Sequence, residues 1–322
     1  MKNTLFMSAL VVIIIFAGFG CYKKTVGDGQ LNQDGNKNDE PIIIVSKPWI
    51  EVLAASTTLY DAEGKVVRQL LTGDELEPGS IIGTNKNGLA NINFPDGSVA
   101  RLDSNTKITL EVGDYDAASK TLTVRIKLAT GKMWSKILKL ATPGSFWEVK
   151  TSNAAAAVRG TAFGMTYLNG KTRIFGSQNQ VAAKPLDPNT GEPLLMKETI
   201  IGEEKYLVID SSLIGSLRSD KSIVDLTAEI VSAPGQFLEE DWIKRSIEAD
   251  EQIDGRLAEF VGQGLSEIEA IVEYGDEFRT ESTEAVLKRR LEIKIESGIN
   301  SAEATEATTT INLLDTGAPS AR

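Results

Sequence analysis

The side chains that most often do chemistry are scarce in this sequence. It contains no histidine, which removes the commonest general base and the commonest transition-metal ligand. Its single cysteine, Cys21, excludes an intrachain disulfide and any zinc site built on several thiolates. Catalysis would have to depend on carboxylates, Lys, Tyr or Ser. We therefore expect a protein that is not an enzyme and that holds no metal or cofactor.

Cys21 follows an apolar run that extends from Leu5 to Phe19. About 15 residues is the length of a signal-peptide core and is short of the roughly 20 that span a bilayer. Gly18 and Gly20 place small residues before the cysteine, as in a bacterial lipoprotein cleavage box. This pattern predicts a lipid on Cys21, with residues 1–21 as signal and anchor and the rest of the chain outside the cytoplasm. An uncleaved transmembrane helix over residues 4–22 and simple cleavage are the alternatives.

Arg159 stands in an unusual setting, because residues 154–163 read AAAAVRGTAF. An arginine between small apolar residues and a glycine is not an ordinary solvated strand position. Either planar acceptors inside the fold hold its guanidinium, or the guanidinium faces a partner. We expect the structural role, and partner contact is the alternative.

Residues 49–215 are predicted to form a β body, in which short runs of alternating hydrophobicity are separated by Gly and Asn turns. Strands are predicted near 146–150, 163–168 and 171–175, and Asn169-Gly170 predicts a tight hairpin between the last two. No run in this region shows helical length and period. Many short strands indicate a sandwich, a barrel or a β-solenoid, and periodicity alone does not choose among them.

Several short motifs follow one another in a fixed order through this body. They are LLTGD at 70–74, EPGSIIGT at 77–84, ANINF at 90–94, DGS at 96–98, LATGK at 128–132 and VRGTAF at 158–163. In this order and spacing, residues 50–210 resemble the FecR domain, an extracytoplasmic, β-rich and solenoid-like module best known from iron-uptake signalling regulators. The resemblance marks the following motif positions, with structural or partner-contact roles: Asp96, Gly97, Ser98, Val158, Arg159, Gly160, Thr161 and Phe163.

Two departures from the family limit what the resemblance implies. Family members often carry Thr-Pro before the arginine motif, where this chain has Thr151-Ser152. Regulators of the iron type also carry a cytoplasmic anti-sigma domain before their membrane span, whereas only residues 1–4 precede the apolar run here. The resemblance therefore implies a fold and a compartment without direct control of a sigma factor.

The charge of the chain is uneven. Residues 216–298 carry 20 acidic and 10 basic side chains, whereas residues 49–215 carry 18 of each sign. We predict a helical region over 216–298, with one helix that opens near 237–242 and ends at Gly262 and two more over 265–274 and 283–295. Its apolar stripe packs on the β body or among the helices, or docks an envelope protein. Residues 22–48 are expected to be a flexible linker and 299–322 a disordered tail.

The preferred hypothesis is a non-enzymatic, membrane-anchored, extracytoplasmic protein that binds an envelope protein or polymer. A regulator of envelope signalling that works in trans with a separate sigma or anti-sigma partner is the alternative, and a glycan hydrolase with paired carboxylates has the least support. No basic patch suggests nucleic-acid binding. We expect Asp96 to be a turn residue, and the aromatic side chains Trp134, Phe146 and Trp147 to pack in the fold rather than stack on sugars.

Overall fold

A computed structural model describes residues 45–138, 144–158, 160–220 and 222–296. Cys21, Arg159, the predicted anchor, the tail and the linker up to residue 44 lie outside the described residues. Val45–Arg290 form one compact unit, and residues 291–296 belong to a second one. None of the helices in the described ranges combines the length and the apolar character that crossing a membrane requires.

The described chain is rich in β-structure and ends in helices. In chain order the strands are β1 (Trp49–Ala54), β2 (Thr57–Tyr60), β3 (Val66–Leu70), β4 (Ser80–Thr84), β5 (Leu89–Asn93), β6 (Val99–Leu102), β7 (Lys107–Asp116), β8 (Thr121–Lys136), β9 (Phe146–Lys150), β10 (Ala154–Val158), β11 (Ala162–Leu168), β12 (Lys171–Gln178), β13 (Val181–Pro185), β14 (Thr199–Ile201), β15 (Lys205–Ile209) and β16 (Val231–Ser232). The helices are α1 (Ser211–Ser219), α2 (Gly235–Leu238), α3 (Asp241–Gly262) and α4 (Glu267–Glu296).

The strands form two sheets that share β8. The first sheet has the order β1-β5-β6-β8-β11-β12-β15-β16, and the second has the order β3-β2-β4-β7-β8-β9-β10-β13-β14. Neighbouring strands are antiparallel, except that β8 and β9 run parallel. The predicted mainly β body with a helical C-terminal region is confirmed, and the strand path does not close on itself within the described residues.

β8 passes from one sheet to the other at Gly131. Residues 121–130 pair with β7 in the second sheet, and residues 131–136 pair with β11 in the first. Gly131 has a φ of +103°, a conformation that favours glycine. A Cβ at this position would lie 2.4 Å from the Cα of Thr106. The bend therefore needs a residue without a side chain.

The main hydrophobic core lies between the two sheets. Leu122, Val124, Ile126 and Leu128 of β8 are buried, as their alternation with polar residues predicts. They belong to the same cluster as residues of the first sheet such as Ile92. Each sheet thus buries one face, which leaves the outer face of each available for helices or partners.

A smaller core covers the outer face of the first sheet. Gly164 lies opposite Trp134 on β8 and opposite Phe175 on β12. A Cβ on Gly164 would lie 2.9 Å from the ring of Trp242, so the glycine makes room for this side chain of α3. Phe237 of α2 completes the cluster. The apolar stripe of the C-terminal region therefore packs on the β body, which is the first of the two alternatives.

Two helix predictions were wrong. α4 is one continuous helix over Glu267–Glu296, where two separate helices were expected. Gly275 lies inside this helix, and its missing side chain lets the helix approach Asp96, whose carbonyl oxygen would lie 2.9 Å from a Cβ there. α1 was missed altogether, although Asp210 caps it by accepting hydrogen bonds from the backbone N–H groups of residues 212 and 213.

Candidate functional site

The Asp96-Gly97-Ser98 motif forms the tight turn between β5 and β6. The Asp96 carboxylate accepts hydrogen bonds from the backbone N–H and the hydroxyl of Ser98, each at 2.9 Å. Gly97 has a φ of +89°. Ser98 Oγ also accepts a hydrogen bond from the backbone N–H of Leu138 at 3.1 Å. These contacts are those of a turn that is tied to the end of β8.

Helix α4 covers this turn. A Cβ on Gly97 would lie 2.7 Å from the ring of Tyr274. Arg279, which is buried, donates to the carbonyl of Pro95 at 2.7 Å and to the hydroxyl of Tyr115 at 3.0 Å. The C-terminal helix α4 thus packs on the Asp-Gly-Ser turn and partly screens Asp96, which is half-buried, from water.

The screening changes the acidity of Asp96. Burial raises its pKa to about 6, against the hydrogen bonds from Ser98 and the charge of Arg279, which act to lower the pKa. The carboxyl group therefore keeps its proton in the folded protein at a pH where an exposed aspartate has lost it.

The arginine motif lies where the chain crosses from the second sheet to the first. Val158 is buried in the main core at the end of β10, and Phe163 is buried at the start of β11. Gly160 has a φ of +76°, and its carbonyl accepts a hydrogen bond from the side chain of Asn179 at 3.1 Å. Thr161 donates its hydroxyl hydrogen bond to the carbonyl of Gln178. Arg159 itself lies outside the described residues, so its structural role stays a prediction.

Val158 and Gly160 also border a groove of about 1220 Å³ on the outer side of the second sheet. The alanine run explains the floor of this groove. Ala154 and Ala156 point into the core, whereas Ala157 lines the groove opposite Ala182 of β13. Two such small side chains side by side leave the sheet surface low, which gives the groove its depth.

Larger side chains form the walls of the groove. Phe146 stands at the start of β9, and Ile200 of β14, which is 47% exposed, lies opposite Ala182. The rim includes Glu198, whose carboxylate is 3.3 Å from the ammonium of Lys184, and Glu203, which accepts a hydrogen bond from the backbone N–H of Asn179. An apolar floor with a polar rim is the usual composition of a binding site.

The buried acidic side chains serve as anchors between elements. Asp250 of α3 is 2.5 Å from Arg101 and 2.9 Å from the indole nitrogen of Trp134. Burial raises the pKa of Asp250, although the positive charge of Arg101 opposes the shift. Asp74 is held between Arg68 and Arg289, whose hydrogen bonds keep its pKa below the usual range although burial acts to raise it.

No group of acidic or cysteine side chains in the described ranges is arranged to hold a metal ion. The aromatic side chains singled out from the sequence pack in the fold: Trp134 and Trp147 are fully buried, and Phe94 contacts Trp147 edge to face at 4.8 Å between ring centroids. Phe146 is half-buried and lines the groove.

The groove could not be predicted from the sequence. The motif at 158–163 includes two residues that line the groove, Val158 and Gly160. No sequence pattern predicts Ile200 or Glu198 as lining residues, because a connection of 13 residues separates β13 from β14 and their pairing is not evident from the sequence. Asp250 and Arg101 were missed for the same reason, since the pair joins residues 149 positions apart.

The raised pKa of Asp96 predicts a pH-dependent stability. In the folded protein Asp96 holds its proton up to about pH 6, whereas in the unfolded chain it loses the proton near pH 4. Its contribution to the free energy of unfolding is therefore complete below about pH 4 and declines as the pH rises through about 6, by up to about 3 kcal/mol.

Asp96→Asn preserves the side-chain acceptor of the turn and cannot ionise. We expect the free energy of unfolding of the natural protein, measured relative to this variant by urea denaturation, to fall between pH 4 and pH 7. A difference between the two proteins that stays constant over this range would contradict the shift.

We compared the chain with protein-family models, curated proteins and solved structures. The family model described as "FecR protein" matches residues 80–182, which include the Asp-Gly-Ser turn and the arginine motif. No curated protein matches the chain. Two crystal structures of a proposed anti-sigma factor from Parabacteroides distasonis ATCC 8503, at 2.50 and 1.65 Å resolution, are similar at 14% and 15% identity, each with a TM-score of 0.31. Each match covers 41% of this chain and 55% of the Parabacteroides protein, so the chain spans about half the length of that protein. The predicted resemblance to the FecR domain is thus confirmed over residues 80–182.

Proposed function

We propose that this protein is a non-enzymatic, extracytoplasmic binding protein, anchored to the bacterial membrane, whose sandwich-like FecR body holds a protein or envelope polymer in the groove beside the arginine motif. The observation that supports the proposal most is that the groove lies beside the arginine motif. Val158 and Gly160 of the family motif line it, and they are fixed by the core and by a turn that only glycine readily adopts.

The side chains of the groove favour binding over catalysis. Its apolar surface comes from Phe146, Ala157, Ala182 and Ile200, which could contact a partner but offer no nucleophile or general base. Glu198 and Glu203 at the rim are engaged with Lys184 and with the backbone of Asn179, and Glu267 at the start of α4 is the third acidic residue of the lining. Such an arrangement can recognise a partner by apolar contact in the centre and by hydrogen bonds at the edge.

Membrane anchoring rests on the sequence around Cys21. The apolar run and the two glycines support lipidation of this cysteine, and the linker that follows would hold the FecR body away from the membrane surface. An uncleaved N-terminal helix would place the body in the same compartment.

The family also supports a more specific proposal. FecR domains are best known from iron-uptake signalling regulators, so we propose that the partner belongs to an envelope signalling system and that this chain acts in trans with a separate sigma or anti-sigma protein. The match over residues 80–182 is the observation that favours it.

Ile200→Arg tests the groove. Ile200 is exposed, so the change should not affect folding, but it places a charged side chain against the apolar floor. We expect the variant to retain less than about a tenth of the partner that the natural protein captures from crosslinked envelope fractions, as quantified by mass spectrometry. Met196→Arg is the matched control, because Met196 is 95% exposed and does not line the groove. Equal capture by Ile200→Arg and the natural protein would show that the groove is not the binding surface.

Cys21→Ser tests the anchor separately. We expect a radiolabelled fatty acid to label the natural protein and Ser8→Ala, but not Cys21→Ser, because the thiol that accepts the lipid is lost. Labelling that persists in Cys21→Ser would overturn lipidation and leave the uncleaved helix as the anchor.

A further inference from the structure

A second, smaller cavity lies between the outer face of the first sheet and α3. It has a volume of about 380 Å³. Its apolar walls include Leu53 of β1, which is 54% exposed, Leu89 of β5 and the ring of Trp242. This volume and this mixture of apolar and polar walls are typical of sites for small molecules.

The wall formed by the sheet carries a hydrogen-bonding group without a partner. Glu51, Asn91 and Arg101 lie side by side on neighbouring strands β1, β5 and β6. The amide nitrogen of Asn91 donates to Glu51 at 2.9 Å. Asn91 Oδ1 is buried and accepts no hydrogen bond. A buried acceptor without a donor destabilises a fold, so a ligand that donated a hydrogen bond to it would recover the lost free energy.

Both arginines that line the cavity are paired with acidic side chains, whereas Glu248, which also lines it, is exposed. Arg101 contacts Asp250 at 2.5 Å, and Arg245 contacts Asp103 at 2.9 Å. The two arginines therefore present no unpaired positive charge to the cavity. The planar guanidinium groups can still stack on an aromatic ring, as can the indole of Trp242.

We propose that this cavity binds a small aromatic molecule whose N–H or O–H group donates a hydrogen bond to Asn91 Oδ1. The apolar body of the ligand lies against Leu53, Leu89 and Trp242. Because Oδ1 is itself screened from solvent, binding includes a small rotation of the Asn91 side chain toward the cavity. The site is separate from the groove at the arginine motif, since the two share no lining residue.

Indole and 1-methylindole are the probes for this site, because they share a ring system and only indole has an N–H donor. We expect isothermal titration calorimetry on the full-length protein to show saturable binding of indole, and binding of 1-methylindole that is at least about tenfold weaker. No saturable binding of indole, or equal affinity for the two probes, would overturn the proposal.

Two variants locate the binding. Leu53→Arg fills the exposed mouth of the cavity and should abolish the binding of indole, whereas Val67→Arg, at a position 56% exposed on β3, should leave it unchanged. Asn91→Leu removes the acceptor at similar volume, so indole should lose its preference over 1-methylindole. Binding that Leu53→Arg leaves unchanged, or a preference for indole that survives Asn91→Leu, would place the probe elsewhere and refute the site.

Discussion

The two sheets of this protein depend on the passage of β8 from one to the other. Its first ten residues pair with β7 and β9, and its last six pair with β6 and β11. The change of sheet occurs at Gly131, where neither the backbone conformation nor the space beside Thr106 accepts a side chain. Because β11 begins with the residues of the arginine motif, the bend also determines where that motif and the adjoining groove lie.

The C-terminal helices, as far as Arg290, are part of the same unit as the β body. Trp242 enters the space left by Gly164, Asp250 pairs with Arg101, and Arg279 reaches the turn at Asp96. In each contact a group from a helix meets a group of the β body, and the acidic character of the region supplies the partners for arginines of the sheet. These contacts cover much of the first sheet's outer face, while the groove on the second sheet remains open.

Local patterns in the sequence predicted much of the body. Alternation identified the strand with Leu122 to Leu128, and Asn169-Gly170 identified the hairpin between β11 and β12. The two-sheet arrangement, the single helix α4 and the groove could not be predicted, because each depends on contacts between distant residues. Gly275 shows the reason: it allows α4 to approach Asp96, a residue far away in the sequence.

The bend at Gly131 is tested most directly by the free energy of unfolding of Gly131→Ala, measured by urea denaturation beside Gly79→Ala. Both glycines have φ near +90° or above, but a Cβ at Gly79 would meet nothing within 4 Å. We predict a loss of about 1 kcal/mol for Gly79→Ala, from backbone strain alone, and of more than about 3 kcal/mol for Gly131→Ala. Equal losses for the two variants would contradict the dependence of the fold on this crossing.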